Sequence, residues 1–288
     1  MSNTRGRTVQ SIKKAMPWLH TAYRKIKYKK TKVILEEIVD ILINKLQITY
    51  GDTLIVHTSL SRFQLTNALP EDVYYVLQKC VGAKGNILMP TFIPVKHLLS
   101  TEPYYAGNVP GHNGLINELF RMEPSVLCST HPWKPIAVWG ADAQELISEH
   151  HLSERAFDKH SPYYKAMALG AKIIGIGTSF QYLSFAHVIE DVHPELFPPI
   201  YTEPIDKICY SVNGEKIAAR FGHILPIAQK HHSFENIRKH IDDSFAREFK
   251  YREIYFSIAD SKKLYMRMLE LAQQGITIYG DYKKQQGL

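Results

Sequence analysis

Short runs of β-branched and aliphatic residues alternate with amphipathic stretches along this 288-residue chain. That alternation constrains the fold more than any other feature. Thr53-Leu-Ile-Val-His57, Asn86-Ile-Leu-Met89 and Lys172-Ile-Ile-Gly-Ile176 have the length and apolar character of strands buried on both faces. Over residues 33–46 the apolar positions Val33, Ile34, Leu35, Ile38, Ile41, Leu42 and Leu46 recur at three and four, which predicts a helix packed on one side. Pro70 suits the first turn of a second helix that runs through Val73, Val76 and Leu77 to Val81 and stops near Gly82. The same reading predicts helices over 114–121, 142–149, 162–169, 184–191, 234–241 and 261–273, and strands over 137–139 and 276–279. Two alternating runs around Asn213-Gly214, within 205–220, predict a hairpin. The expected fold class is therefore α/β, a central mixed β-sheet flanked by helices.

The net charge of +7 is concentrated at one end. Residues 1–33 hold ten of the 35 Lys and Arg and no Asp or Glu, so the remainder carries 25 basic against 28 acidic side chains. This divides the chain into a basic leader, 1–32, and a mildly acidic α/β domain, 33–288. Apolar residues interleaved in the leader, among them Trp18, Leu19, Tyr23 and Ile26, leave two readings open: a solvated arm, or a segment in peripheral contact with an anionic membrane surface. No helix-turn-helix, RRM or zinc-finger pattern accompanies the charge, so no nucleic-acid partner is expected. Cys80, Cys128 and Cys209 are odd in number and far apart, which fits a reducing cytoplasm rather than a disulfide framework or a zinc site. No run of 18 apolar residues occurs, so no membrane span is expected.

Loops rich in small or hydroxylated residues follow the strands: His57-Thr58-Ser59-Leu60-Ser61, Pro90-Thr91-Phe92, Ser129-Thr130-His131-Pro132 and Gly175-Ile-Gly177-Thr178-Ser179. Ligands of open α/β sheets bind at the carboxyl ends of strands, so a site is expected there. No GxGxxG, no GxxxxGK[ST] and no GxSxG occurs, which removes the usual signatures of a dinucleotide-binding, P-loop or serine-hydrolase site. The sharpest feature is Ser184-Phe-Ala-His187-Val-Ile-Glu190-Asp191. On a helix, 184, 187 and 190 or 191 share a face, so a carboxylate can hold one imidazole nitrogen while the other faces a cleft, as a general base requires. The bland alternative is a surface ion pair. His193 extends the run to HxxExxH, but without HExxH spacing no metal is expected.

Together these segments resemble the aminoglycoside N3-acetyltransferase family of antibiotic and amino-sugar N-acyltransferases. The resemblance rests on the 51–61, 85–92 and 114–118 segments, His131-Pro132, Ser161-Pro-Tyr163, the 175–177 loop and the 187–190 segment, all in the family's order. It implies acetyl transfer from acetyl-CoA to a primary amine of a sugar. In that scheme His187 is the catalytic base, backed by Glu190. Ser184 is a donor to developing oxygen charge. Glu118 sits beside the acceptor amine. Thr58, Ser59, Leu60, Ser61, Thr91, Ser161 and Tyr163 form the CoA-binding wall, and His131, Glu118 and Asp191 the acceptor side. Cys128-Ser129 before His131, and Pro135 after it, depart from the family's pattern and bear on acceptor identity. The expected acceptor is an amino sugar of surface polysaccharide biosynthesis, the alternative an aminoglycoside. A non-catalytic binding or scaffold protein is the alternative of another class.

Overall fold

The computed structural model describes residues 33–59, 68–226, 228 and 232–280, the Lys96 side chain excepted. The basic leader, and Leu60 and Ser61 of the expected CoA wall, lie outside the described residues. The helices are α1 (Leu35–Asp40), α2 (Pro70–Val81), α3 (Val95–Leu98), α4 (Leu115–Met122), α5 (Ala143–Ile147), α6 (Pro162–Ala168), α7 (Val188–Val192), α8 (Glu235–Arg238) and α9 (Ser261–Gln273). The strands are β1 (Thr53–Thr58), β2 (Asn86–Pro90), β3 (Tyr104–Tyr105), β4 (Leu127–Cys128), β5 (Ile136–Gly140), β6 (Lys172–Ile176), β7 (Ile205–Tyr210), β8 (Lys216–Phe221), β9 (Ala246–Tyr251) and β10 (Ile254–Asp260).

A seven-stranded mixed sheet runs in the order β4-β5-β2-β1-β6-β10-β9. Its centre, β2-β1-β6, is parallel, and antiparallel strands extend it on both sides. Successive residues of the central strands feed opposite cores. Leu54, Val56, Ile87, Met89, Ile174 and Ile176 join α1, α2 and α4 on one face. Ile55, Leu88 and Ile173 join α5, α6 and α9 on the other. Burial on both faces is why these runs read as continuous apolar stretches rather than alternating ones. β1 has β2 on one side and β6, much later in the chain, on the other, so the connections diverge there and open a crevice at their carboxyl ends.

Three local expectations are corrected, and two strands not expected are added. The hairpin around Gly214 forms, but in a separate three-stranded sheet with β3 (order β3-β7-β8), so the mixed character of the main sheet comes from β4, β5, β9 and β10. The sequence pattern leaves β9 and β10 unassigned; edge strand β9 carries Arg247, Glu248 and Lys250 where it meets solvent, and those charges mask its alternation. Residues 276–279 form a turn rather than a strand, with Ile278 and Tyr279 buried. The helix expected over 234–241 reduces to the single turn α8. In addition, α1 widens into a π-helical turn over Ile41–Lys45.

Candidate active site

A cleft of two adjoining lobes opens at the carboxyl ends of β1, β2 and β6. One lobe, about 430 Å³, is lined by His57, Thr58, Ser59, Asn117 and residues 177–179. The other, about 530 Å³, is lined by His112, Trp133, Lys134, His187, His232 and Tyr279 among others. Tyr182 and Ser184 line both and mark the junction.

Gly177 shapes the first lobe. Its φ is +77°, and a Cβ there would lie 2.6 Å from the Ser59 carbonyl oxygen, so only glycine lets the β6 exit pass so close to the β1 exit. The Ser59 N–H donates to the Ile176 carbonyl at 3.0 Å, tying the β1 exit to β6, and the Thr58 hydroxyl donates to Asn117 Oδ1 on α4 at 2.7 Å. His57 Nε2 accepts the Ser184 backbone N–H at 3.1 Å, so its proton sits on Nδ1, which has no hydrogen-bond partner in the protein. Burial pushes the His57 pKa down to about 4.

In the second lobe His187 closes a 3₁₀ turn (Ser184–His187) that runs into α7. Its Nδ1 lies 2.7 Å from Glu190 Oε1, the contact expected from the i, i+3 spacing. The His187 side chain is 16% exposed and Glu190 fully buried, so Nε2 is the ring atom left to the cavity. Tyr279 donates its hydroxyl to the same Glu190 oxygen at 2.8 Å, while Oε2 has no partner. The imidazole stacks on Phe157 at 5.9 Å, and Phe157 stacks on Tyr163 at 5.3 Å. Burial pushes the Glu190 carboxyl up to about 8, opposed by the Tyr279 hydrogen bond, and pushes the His187 imidazole down. Two groups sharing one hydrogen bond titrate as a unit. In the acid form, the pair holds two protons with no net charge. Loss of one leaves Nδ1–H on the carboxylate and a bare Nε2, the form that can accept a proton.

The structure brings His187, Ser184, Thr58 and Ser59 to the cleft, with Glu190 buried behind His187, while Glu118, His131, Asp191, Thr91, Ser161 and Tyr163 do not line it. Glu118 accepts the Gly111 N–H at 2.8 Å and pairs with Arg121 at 2.9 Å, holding the 107–111 loop. His131 accepts the backbone N–H groups of Trp133 and Lys134 on Nδ1 and stacks on His150, so it shapes a turn. Asp191 binds the Phe157 N–H at 2.8 Å and the Tyr201 hydroxyl. Thr91 bonds the Pro135 carbonyl, Ser161 caps α6, and Tyr163 is fully buried in the packing behind His187. Except for Tyr163, whose buried hydroxyl has no hydrogen-bond partner, each polar group satisfies backbone at the margin of the site, a demand that composition does not reveal. His193 bonds Tyr265 at 2.8 Å, away from His187, and among the described residues no three potential metal ligands converge. Lys134, Trp133, His112, His232, Tyr182 and Tyr279 line the cleft without a sequence signal of their own, although Lys134 and Trp133 adjoin His131-Pro132.

The family model for aminoglycoside 3-N-acetyltransferase matches residues 55–273. Aminoglycoside N(3)-acetyltransferase VII of Streptomyces paromomycinus is 25% identical over 193 residues, 59% of this chain and 64% of that protein. Aminoglycoside N(3)-acetyltransferase III of Acinetobacter baumannii is 27% identical over 167 residues, 52% of this chain and 58% of that protein. The matches thus span about three-fifths of these relatives' lengths. Among solved structures, aminoglycoside acetyltransferase AAC(3)-Xa superposes with a TM-score of 0.72 at 16% identity, covering 89% of this chain and 99% of that one. AAC-IIIb in its binary complex with CoASH gives 0.67 at 16% identity, covering 83% and 96%. The structural likeness establishes the shared mixed-sheet fold. With the family model matched over residues 55–273, which include most of the sheet and most of the cleft lining, the chain belongs to the aminoglycoside 3-N-acetyltransferase family.

Proposed function

We propose that this protein transfers an acetyl group from acetyl-CoA to a primary amine of an amino sugar. The observation that carries this reading is the His187–Glu190 pair, with His187 facing the second lobe three residues from Ser184, which lines both lobes, one lobe for each substrate. Thr58, Ser59 and residues 177–179 would hold the donor, in a lobe where the bare Gly177 leaves room for chain to pass. Bound acetyl-CoA supplies an activated acyl thioester, whose C–S bond breaks as the acceptor nitrogen bonds the acyl carbon, the thiolate leaving to be protonated as the CoA thiol. An amine is protonated in water and cannot attack until it loses a proton, so the chain must supply a base. His187 Nε2 takes that proton, and the Glu190 carboxylate, fixed by Tyr279, holds the opposite ring proton and stabilises the imidazolium that forms. Ser184 lines both lobes, and in this reading its hydroxyl donates to the oxygen on which charge develops, a contribution of about 3 kcal/mol. Its backbone N–H cannot serve, being bound to His57.

An amino sugar of surface polysaccharide biosynthesis remains our preferred acceptor. The aminoglycoside reading is supported by relatives' names and by a structural neighbour described as AAC-VIa bound to sisomicin. The test is His187→Ala, expected to lower kcat about a hundredfold while the calorimetric affinity for acetyl-CoA is retained. Parallel loss of acetyl-CoA binding would show that His187 is structural, and no acetyl-CoA binding by the unmodified protein would leave a scaffold as the better reading.

A further inference from the structure

The lobe on the His187 side has a charge opposite to what a polycation needs. Its described lining holds Lys134, three histidines, the neutral polar Gln181 and Ser184, and aromatic and aliphatic residues, and no Asp or Glu. The nearest acids are engaged elsewhere: Glu190 with His187 and Tyr279, Asp191 with Phe157 and Tyr201, Glu118 with Gly111 and Arg121. Lys134 is the fixed cation of the lobe. Its ammonium lies 4.1 Å from the centre of the Phe92 ring and 4.6 Å from that of Trp133, and among the described residues it forms no ion pair. Its backbone N–H is pinned to His131 Nδ1 at 3.0 Å, so the turn aims it.

Resting on the acetyl-transfer reading above, we propose that the acceptor amine belongs to a sugar that also carries an oxyanion, a phosphate or a carboxylate, which seats on Lys134 while aromatic side chains flank the sugar. Burial has lowered the Lys134 pKa to about 8, with Asp191 only partly opposing, so an oxyanion would restore a partner that the protein withholds. A polycationic aminoglycoside would meet this ammonium as a like charge with no carboxylate to offset it.

The experiment uses the full chain and acetyl-CoA, with glucosamine 6-phosphate, a nucleoside-diphosphate-linked amino sugar, an amino sugar acid, glucosamine and a kanamycin-type aminoglycoside as acceptors. The expected result is a KM at least about tenfold lower for the phosphate or carboxylate acceptors than for glucosamine, the scale of one charge-assisted contact. Which of them leads identifies the source of the oxyanion. Lys134→Gln should abolish that difference without raising the KM for acetyl-CoA, and Lys134→Arg should restore most of it. Aminoglycoside turnover equal to or better than that of the anionic acceptors overturns the proposal and leaves acetyl transfer standing. A Lys134→Gln effect on acetyl-CoA alone also overturns it, assigning the lysine to the donor's phosphates. If no acceptor turns over, titration of glucosamine 6-phosphate against glucosamine into the CoA-bound protein still decides, since equal affinities overturn the proposal. Failure to bind acetyl-CoA at all removes the transfer reading beneath it.

Discussion

One oxygen of Glu190 faces both the His187 ring and the Tyr279 hydroxyl, and the consequence is a pH signature. The acid form of the His187–Glu190 pair keeps a proton on Nε2, and burial raises the carboxyl to about 8, so the base form appears only as pH rises through that region. The expected outcome is an acid limb of the kcat profile well above the ordinary imidazole value of about 6.5. In Glu190→Gln the partner no longer titrates, and the buried imidazole loses its proton at lower pH. The limb should move down while kcat falls about tenfold or more. Profiles of both proteins with one acceptor check this, because the acceptor's own ionisation is common to both. An unmoved limb would mean that Glu190 plays no part in the titration.

At the scale of elements, the exits of β1 and β6 shape the first lobe, where donor binding is proposed, and Gly177 is the position where they touch. Gly177→Ala would force a residue with a side chain into φ +77° and set its Cβ against the Ser59 carbonyl. The left-handed conformation alone costs about 1–2 kcal/mol. Both the thermal midpoint and the calorimetric affinity for acetyl-CoA should fall. Loss of stability with full affinity would place this contact outside donor binding. The central strands and α2, α6 and α9 were legible because burial on two faces, or on one stripe, leaves a period in the sequence. β9 was less so, since the charges that protect an edge also break the period, and interior β10 buries Phe256 and Ser257 in succession, so it shows no strict alternation either. The His187–Glu190 contact was legible because i, i+3 neighbours meet in any helical turn. The roles of Glu118, His131 and Asp191 were not, because each serves a backbone group distant in sequence or on a turn whose shape no spacing rule supplies.

For the molecule as a whole, the buried titratable groups set the pH of greatest stability. Burial lowers His57 to about 4, His150 to about 3, and His131 well below its ordinary value. As pH falls below about 6.5 the unfolded chain takes protons that these rings refuse, so stability drops, by about 1.4 kcal/mol per pH unit for each net proton. Asp191, pushed up to about 8 by burial and the neighbouring Glu190, and Asp158, raised by burial, oppose this, but the three histidines outnumber them. His187 and Glu190 shift in opposite senses and nearly cancel in the acid range. Between about 6.5 and 8 the histidines are neutral in both states, and the raised carboxyls Glu190 and Asp191 make stability fall as pH rises. Thermal midpoints measured across pH should therefore peak near 6.5, and a maximum at pH 5 or below would contradict the burial of these rings.

By itself the sequence determined the α/β class, the central strands and the imidazole–carboxylate pair, because periodicity and helical spacing are local and survive in one dimension. Only the tertiary structure decided which polar residues face the cleft and which hold the backbone around it. It brought Tyr279 back onto Glu190, 89 residues away, and set Lys134 in a lobe without acids. Those outcomes depend on which segments pack together and which groups water leaves, and neither is encoded in any short window of the chain.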